Sequence, residues 1–153
     1  MPPLVVETPR SLKPFVGHEI ATTEWLSITQ DRIQRFAEAT EDQQWIHLDR
    51  ERAQLDSPYG TTIAHGFLTL SVLSQFLRQA IQIGRVRMSV NYGLNRVRFP
   101  SPVPADSRIR ARFTLLAVKD ISDGVEATFS VVIEGENSVK PCCVAEWVIR
   151  YYV

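Results

Sequence analysis

Apolar and polar residues change rhythm several times along this chain, and each change predicts an element. Over residues 18–28, β-branched and aromatic side chains (Ile20, Thr22, Thr23, Trp25, Ile28) mark a first strand. Ile33, Phe36 and Ala37 then fall at i, i+3 and i+4, which predicts a short amphipathic helix over 30–39 with Thr29 as its N-cap. Arg32 stands where a capping-box glutamate would, so that cap is half signalled. Residues 40–57 lose all periodicity. Charge is dense there, Trp45, Ile46 and Leu48 are interleaved as anchors, and one helical turn is expected over 50–54. A long ordered loop in a small domain usually carries function.

Pro58-Tyr59-Gly60 punctuates, and the longest predicted helix follows over 62–83. Ile63, Phe67, Leu70, Leu73, Leu77, Ala80 and Ile81 form its stripe, with Leu68, Val72 and Phe76 on the flanks. Such a helix, apolar over most of its circumference and about 30 Å long, must be enclosed by other structure. Everything after Gly84 reads as strand: 88–99, then the alternation of Ile109, Ala111, Phe113 and Leu115 with Arg108, Arg110, Arg112 and Thr114. Asp123-Gly124 is a hairpin turn leading into 125–134, and 139–153 closes the chain. Four consecutive strands joined by short turns imply an antiparallel sheet with the buried helix across its concave face, an α+β fold.

Composition narrows the picture further. With 153 residues the chain is one domain, 1–153, in which 1–12 form an N-terminal arm. Seventeen basic against seventeen acidic residues leave no net charge, which excludes an overall basic footprint for nucleic acid. Leu4-Val5-Val6 is too short for a signal peptide, and 62–83 carries Gln75, Arg78, Gln79 and Gln82, so no membrane span is expected. The two cysteines, Cys142 and Cys143, are adjacent within an apolar run, which suits buried strand residues in a reducing compartment. A cytoplasmic protein is expected.

The chemistry rests on few residues. His18, His47 and His65 show no HxH or HExxH pattern, so no metal site is expected, and His18 reads as structural or exposed. Asp42 lies five residues before His47, with Glu41 and Asp49 close by. On a bent loop such a carboxylate and imidazole can converge on one water, the first orienting it and the second moving a proton; a merely solvated loop is the alternative. His65-Gly66 opens the enclosed helix, where first-turn amides lack internal partners and can meet a carbonyl oxygen that gains charge. The plain alternative is that Gly66 only permits close packing. Ser74 shares the apolar stripe, and its hydroxyl either bonds back to the carbonyl four residues earlier or reaches the loop above.

Two runs, Phe36-Ala37-Glu38-Ala39-Thr40-Glu41-Asp42-Gln43-Gln44-Trp45-Ile46-His47-Leu48-Asp49 and Ile63-Ala64-His65-Gly66-Phe67-Leu68, resemble the MaoC-like or (R)-specific enoyl-CoA hydratase family, and within it the nodulation protein N-like branch. The resemblance covers about residues 12–150. It implies the hotdog fold, a long central helix wrapped by a curled antiparallel sheet, and reversible hydration of a trans-2-enoyl-CoA to an (R)-3-hydroxyacyl-CoA. It casts Asp42 and His47 as the catalytic pair, Gly66 as the amide on the thioester carbonyl, Ser74 as a supporting hydroxyl and His65 as a further substrate contact. The commoner hydratase pattern reads Gly-Asp-x-Asn-Pro-x-His. Gln44 and Trp45 here replace Asn-Pro, which bears on substrate preference.

No cofactor is implied, because hydration moves no electrons. The partners expected are an acyl-CoA substrate and a second copy of the chain, with neither nucleic acid nor membrane. Arg85, Arg87, Arg96 and Arg98 are either phosphate contacts or exposed strand faces. The rival activities on the same fold are an acyl-CoA thioesterase, a 3-hydroxyacyl-ACP dehydratase and a non-catalytic acyl-binding subunit.

Overall fold

The computed structural model describes residues 2–153. A short strand, β1 (Leu4–Val6), is followed by a 3-10 segment, Pro9–Phe15, whose Leu12 is fully buried. The stretch expected as an N-terminal arm is therefore docked on the body: β1 pairs in parallel with β4 (Ile81–Ile83). The first predicted strand is split into β2 (Glu19–Thr22) and β3 (Leu26–Ile28). Between them the buried Thr23 donates its amide to the carbonyl of Ala111 and accepts the Ala111 amide at Oγ1, 2.9 Å away. The ladder is thus replaced for one residue by a side chain.

Helix α1 (Gln30–Thr40) starts where expected, with Thr29 Oγ1 accepting the Arg32 amide at 3.1 Å. It ends at Glu41, whose φ of 63° turns the chain sharply. Two short helices follow, α2 (Trp45–Leu48) and α3 (Arg50–Asp56). The long helix differs from expectation at both ends. It begins only at Gly66, runs as α4 (Gly66–Ser71) and α5 (Leu73–Ala80), and passes into β4. Its leading residues are drawn off by the main chain of other segments: Ile63 donates to Ile46, Ala64 to Val103, and Thr62 accepts from Ala105. At the far end Ile81 and Ile83 are β-branched and find a strand partner in β1.

The main sheet contains β5 (Met88–Arg98), β6 (Ser107–Ile121), β7 (Gly124–Gly135) and β8 (Cys143–Tyr152) in the order β2-β6-β7-β8-β5, with β3 also paired to β6. Strands β6 to β8 form the expected hairpins, and Asp123 takes φ 63° at the turn. Strand β5 does not pair with its successor. It crosses to the far edge and lies antiparallel to β8, which corrects the simple run of four hairpins. The alternation Ile109, Ala111, Phe113, Leu115 on β6 and Val125, Ala127, Phe129, Val131, Ile133 on β7 buries one face of the sheet. Leu73 and Phe76 of α5 belong to the same core, where Phe76, Phe113 and Phe129 are wholly enclosed. This is the α+β hotdog arrangement, a helix held by a curled antiparallel sheet.

The opposite face carries a ladder of ion pairs. Arg108 meets Glu136 at 2.6 Å, Arg110 meets Glu134 at 2.9 Å, Arg112 meets Glu19 at 2.9 Å, and Arg150 meets Glu126 at 2.9 Å. Cys142 and Cys143 are free and buried. Burial pushes the Cys143 thiol up to about 11, so neither is poised as a nucleophile. Among the described residues no helix is long and apolar enough to cross a membrane.

Candidate active site

The irregular segment after α1 is held by side chains distant in sequence. Gln30, the first residue of α1, donates from Nε2 to the His47 carbonyl at 2.8 Å and accepts the Thr62 hydroxyl at Oε1 at 2.5 Å. Its amide meets Asp106, which also takes Arg50 at 2.8 Å. These bonds fasten α2 and the approach to α4 onto the start of α1. The acidic company of His47 is sorted at the same time. Asp49 caps α3 by accepting the Arg52 amide at 3.0 Å, and Glu41 is the turning residue after α1. Asp42 remains, exposed beside His47, and makes no ion pair among the described residues.

His47 is 6% exposed, and its Nδ1 lies 2.7 Å from the Ile63 carbonyl. A carbonyl only accepts, so Nδ1 carries the proton and Nε2 is left with its lone pair. Burial holds the imidazole below its ordinary titration range, working against the bond to Ile63 and the nearby Asp42 carboxylate. At neutral pH His47 is therefore a neutral base. His65 stacks on it with ring centroids 3.8 Å apart and planes 23° from parallel. The Nε2 of His65 donates to the main-chain carbonyl of Asp42 at 2.9 Å, and its Nδ1 is buried without a partner among the described residues. Ligating atoms of Asp42, His47 and His65 all lie within 4.8 Å of one another. Two groups up to about 5.5 Å apart can share a hydrogen-bonded water.

Asp42, His47, His65 and Gly66 line one cavity of about 470 Å³, walled by Phe36, Thr40, Phe67 and Phe99. No acceptor among the described residues takes the Gly66 amide, the first of α4. A methyl group at Gly66 would stand 3.1 Å from the Phe99 ring, so the glycine keeps the aromatic wall close to the helix start. Four of the expected site residues thus come together in one protomer.

Ser74 does not join them. It is exposed on α5, eight residues or about 12 Å of helix beyond Gly66, and faces cavities shared with Asn91 and Trp147. His65 also lines the cavity but is only 3% exposed, with its Nε2 bonded to the Asp42 carbonyl. Arg85, Arg87, Arg96 and Arg98 form no ion pair among the described residues, unlike the arginines of the sheet ladder. Sequence reasoning missed Gln30, Thr62 and Phe99. Their roles depend on contacts 17 to 33 residues away, and nothing local to them signals it.

Comparison with known proteins identifies the family. Residues 12–137 match the family model described as MaoC like domain. The chain is 47% identical over 146 residues to 3-hydroxyacyl-thioester dehydratase Z of Mycobacterium tuberculosis (strain ATCC 25618 / H37Rv), covering 95% of this chain and 96% of that protein. It is 44% identical over 135 residues to nodulation protein N of Rhizobium leguminosarum bv. viciae, covering 87% and 84%. The solved (R)-hydratase PhaJ1 from Pseudomonas aeruginosa superposes with a TM-score of 0.72 at 23% identity, covering 95% of this chain and 85% of that one, which speaks for the fold. The chain belongs to the MaoC-like family of hydratases and dehydratases, hydro-lyases built on the hotdog fold.

Proposed function

We propose that this protein catalyses the reversible syn addition of water to a trans-2-enoyl-CoA, giving the (R)-3-hydroxyacyl-CoA. Asp42 and His47 hold the attacking water. His47 Nε2 takes one proton as the oxygen bonds to the β-carbon, and a proton returns to the α-carbon on the same face. Gly66 donates its amide to the thioester oxygen, which gains enolate charge as the double bond is consumed. One such donor, placed in advance, typically lowers the barrier by about 2.7–4 kcal/mol. Phe36, Phe67 and Phe99 supply an apolar wall for the acyl group. No cofactor takes part, since no electrons leave the substrate.

The observation that carries this reading is the close grouping of a carboxylate, a neutral imidazole and a first-turn amide around one cavity. A homodimer, placed in the cytoplasm, completes it. Strand β5 has an open outer edge and little burial on either face, with Met88, Tyr92 and Leu94 each more than 40% exposed. A second β5 added antiparallel would satisfy that edge. Ser74 lies beside this strand through the cavity it shares with Asn91, so its supporting role belongs to the assembled dimer.

The test is a spectrophotometric assay across C4 to C16 enoyl-CoAs with product stereochemistry. Loss of the enoyl band with (R)-3-hydroxyacyl-CoA formed is the expected result. Release of free CoA with the enoyl band unchanged would assign a thioesterase instead, and turnover confined to carrier-protein substrates would assign an ACP dehydratase.

A further inference from the structure

Residues 41–44 sit between two helices without regular structure, yet they carry the carboxylate on which the proposed reaction depends. Among the described residues one non-local hydrogen bond fastens them, from His65 Nε2 to the Asp42 carbonyl at 2.9 Å. The same imidazole lies flat on His47, and Phe36 packs against it with centroids 4.9 Å apart. His65 is thus in contact with both members of the pair. Its own carbonyl accepts the amides of Leu68 and Thr69, which ties it to the start of α4 beside Gly66.

The choice of histidine at this buried position calls for a reason. A carbonyl only accepts, so Nε2 must carry the proton and Nδ1 keeps a lone pair that meets no donor among the described residues. A buried polar atom left in that state is unfavourable, and a core residue chosen for packing alone would avoid it. Phenylalanine would fill the space and keep the ring stack, but it has no donor for Asp42. Glutamine or asparagine would offer the donor without the flat ring under His47. Histidine alone among side chains of this size supplies both.

We infer that His65 is a positioning residue: it holds the Asp42 loop through its Nε2–H and the His47 ring through the stack, setting the separation of the pair. This rests on the catalytic roles proposed above for Asp42 and His47, and it replaces direct substrate contact as the function of His65. A site loosened by about 1 Å commonly loses about 10²-fold in rate. That loss belongs in kcat, since Phe36, Phe67 and Phe99, the apolar wall proposed for the acyl group, are unchanged.

Two readouts test it, one of them independent of turnover. Long-range 15N–1H correlation on the histidine rings should find the Nε2–H tautomer at His65 and the Nδ1–H tautomer at His47. A His65 ring protonated at Nδ1 instead overturns the inference, whether or not the protein hydrates enoyl-CoA. Kinetics of His65→Phe and His65→Gln on crotonyl-CoA supply the second readout. The phenylalanine variant should lose roughly 10²-fold in kcat with KM within about threefold. The glutamine variant should recover at least a tenth of the wild-type rate by keeping the donor. Amide shifts at Glu41 to Gln44 should move in the phenylalanine variant and much less in the glutamine one. Native kcat in both variants, or a loss confined to KM, contradicts the inference. If wild type leaves every enoyl-CoA untouched, the proposed function fails while the tautomers and loop shifts still decide the role of His65.

Discussion

Two polar regions of this molecule look alike in sequence and differ in physics. On the outer face of the sheet Arg108, Arg110, Arg112 and Arg150 each meet a glutamate within 3 Å, and most of these side chains stay partly in water. Each of these four arginines is answered by a carboxylate. The site opposite holds one exposed carboxylate and two buried imidazoles, and among the described residues the strong bonds of the imidazoles run to main-chain carbonyls. Screening leaves the ladder with little energy per pair. Burial leaves His47 with its titration displaced and its Nε2 lone pair unspent. Density of charge marks the scaffold here, and charge withheld from a partner marks the chemistry.

The largest effect expected from this contrast lies at the pair. Asp42→Asn or His47→Gln should each lower hydration of crotonyl-CoA by about 10³-fold with the circular dichroism spectrum retained. A near-native rate in either variant would place the chemistry elsewhere. Next comes Gly66→Ala, whose new methyl would press on the Phe99 ring at 3.1 Å. A drop of about 10- to 100-fold in kcat/KM is expected, below the roughly 10²–10³-fold cost of removing an oxyanion donor outright, because the amide is kept and only displaced. Pairing Gly66→Ala with Phe99→Leu, which makes room for the methyl, should return part of that loss if crowding is its cause.

Acidity should separate the regions more gently. Burial lowers the His47 value below the ordinary imidazole value of about 6.5, so the acid limb of kcat/KM should turn below that pH. Stability follows the same sign. In the window between the unfolded value and the lower native one, the unfolded chain binds a proton that native His47 does not. Unfolding there takes up a proton, and stability declines as pH falls through the window. Replacing His47 with Gln should flatten that part of the profile in denaturant titrations. The smallest effect belongs to the ladder: Arg112→Gln should cost less than about 1 kcal/mol and leave turnover unchanged, because its partners stay solvated. A large activity loss on that substitution would join two regions that the account keeps apart.

Much of the scaffold can be read from residue order because its determinants are local. The alternation on β6 and β7, the Asp123-Gly124 turn and the Thr29 cap each lie within a few residues. The long helix is overextended on that basis, since Ile81 continues its stripe and yet, with Ile83, serves a strand paired with β1. Where β5 goes is decided by its contacts with β8, some fifty residues later, and no local pattern signals it. At the site, Asp42, His47 and Gly66 stand out through spacing and family resemblance. The clamps are silent: Gln30 and Thr62 read as ordinary helix and loop residues, and their bonds exist only once α1 and the approach to α4 meet. Ser74 shows the converse, a motif position that the helix carries to a different cavity of the protomer.

The central claim is that Asp42 and His47 act together on one water, and a double-mutant cycle tests it most directly. Hydration of crotonyl-CoA would be measured for Asp42→Asn, His47→Gln and the two combined. A single shared water predicts that the combined variant is about as slow as the slower single one, because the second removal takes away nothing that still functions. Losses that multiply across the cycle would mean two independent roles, and the shared water would have to be given up.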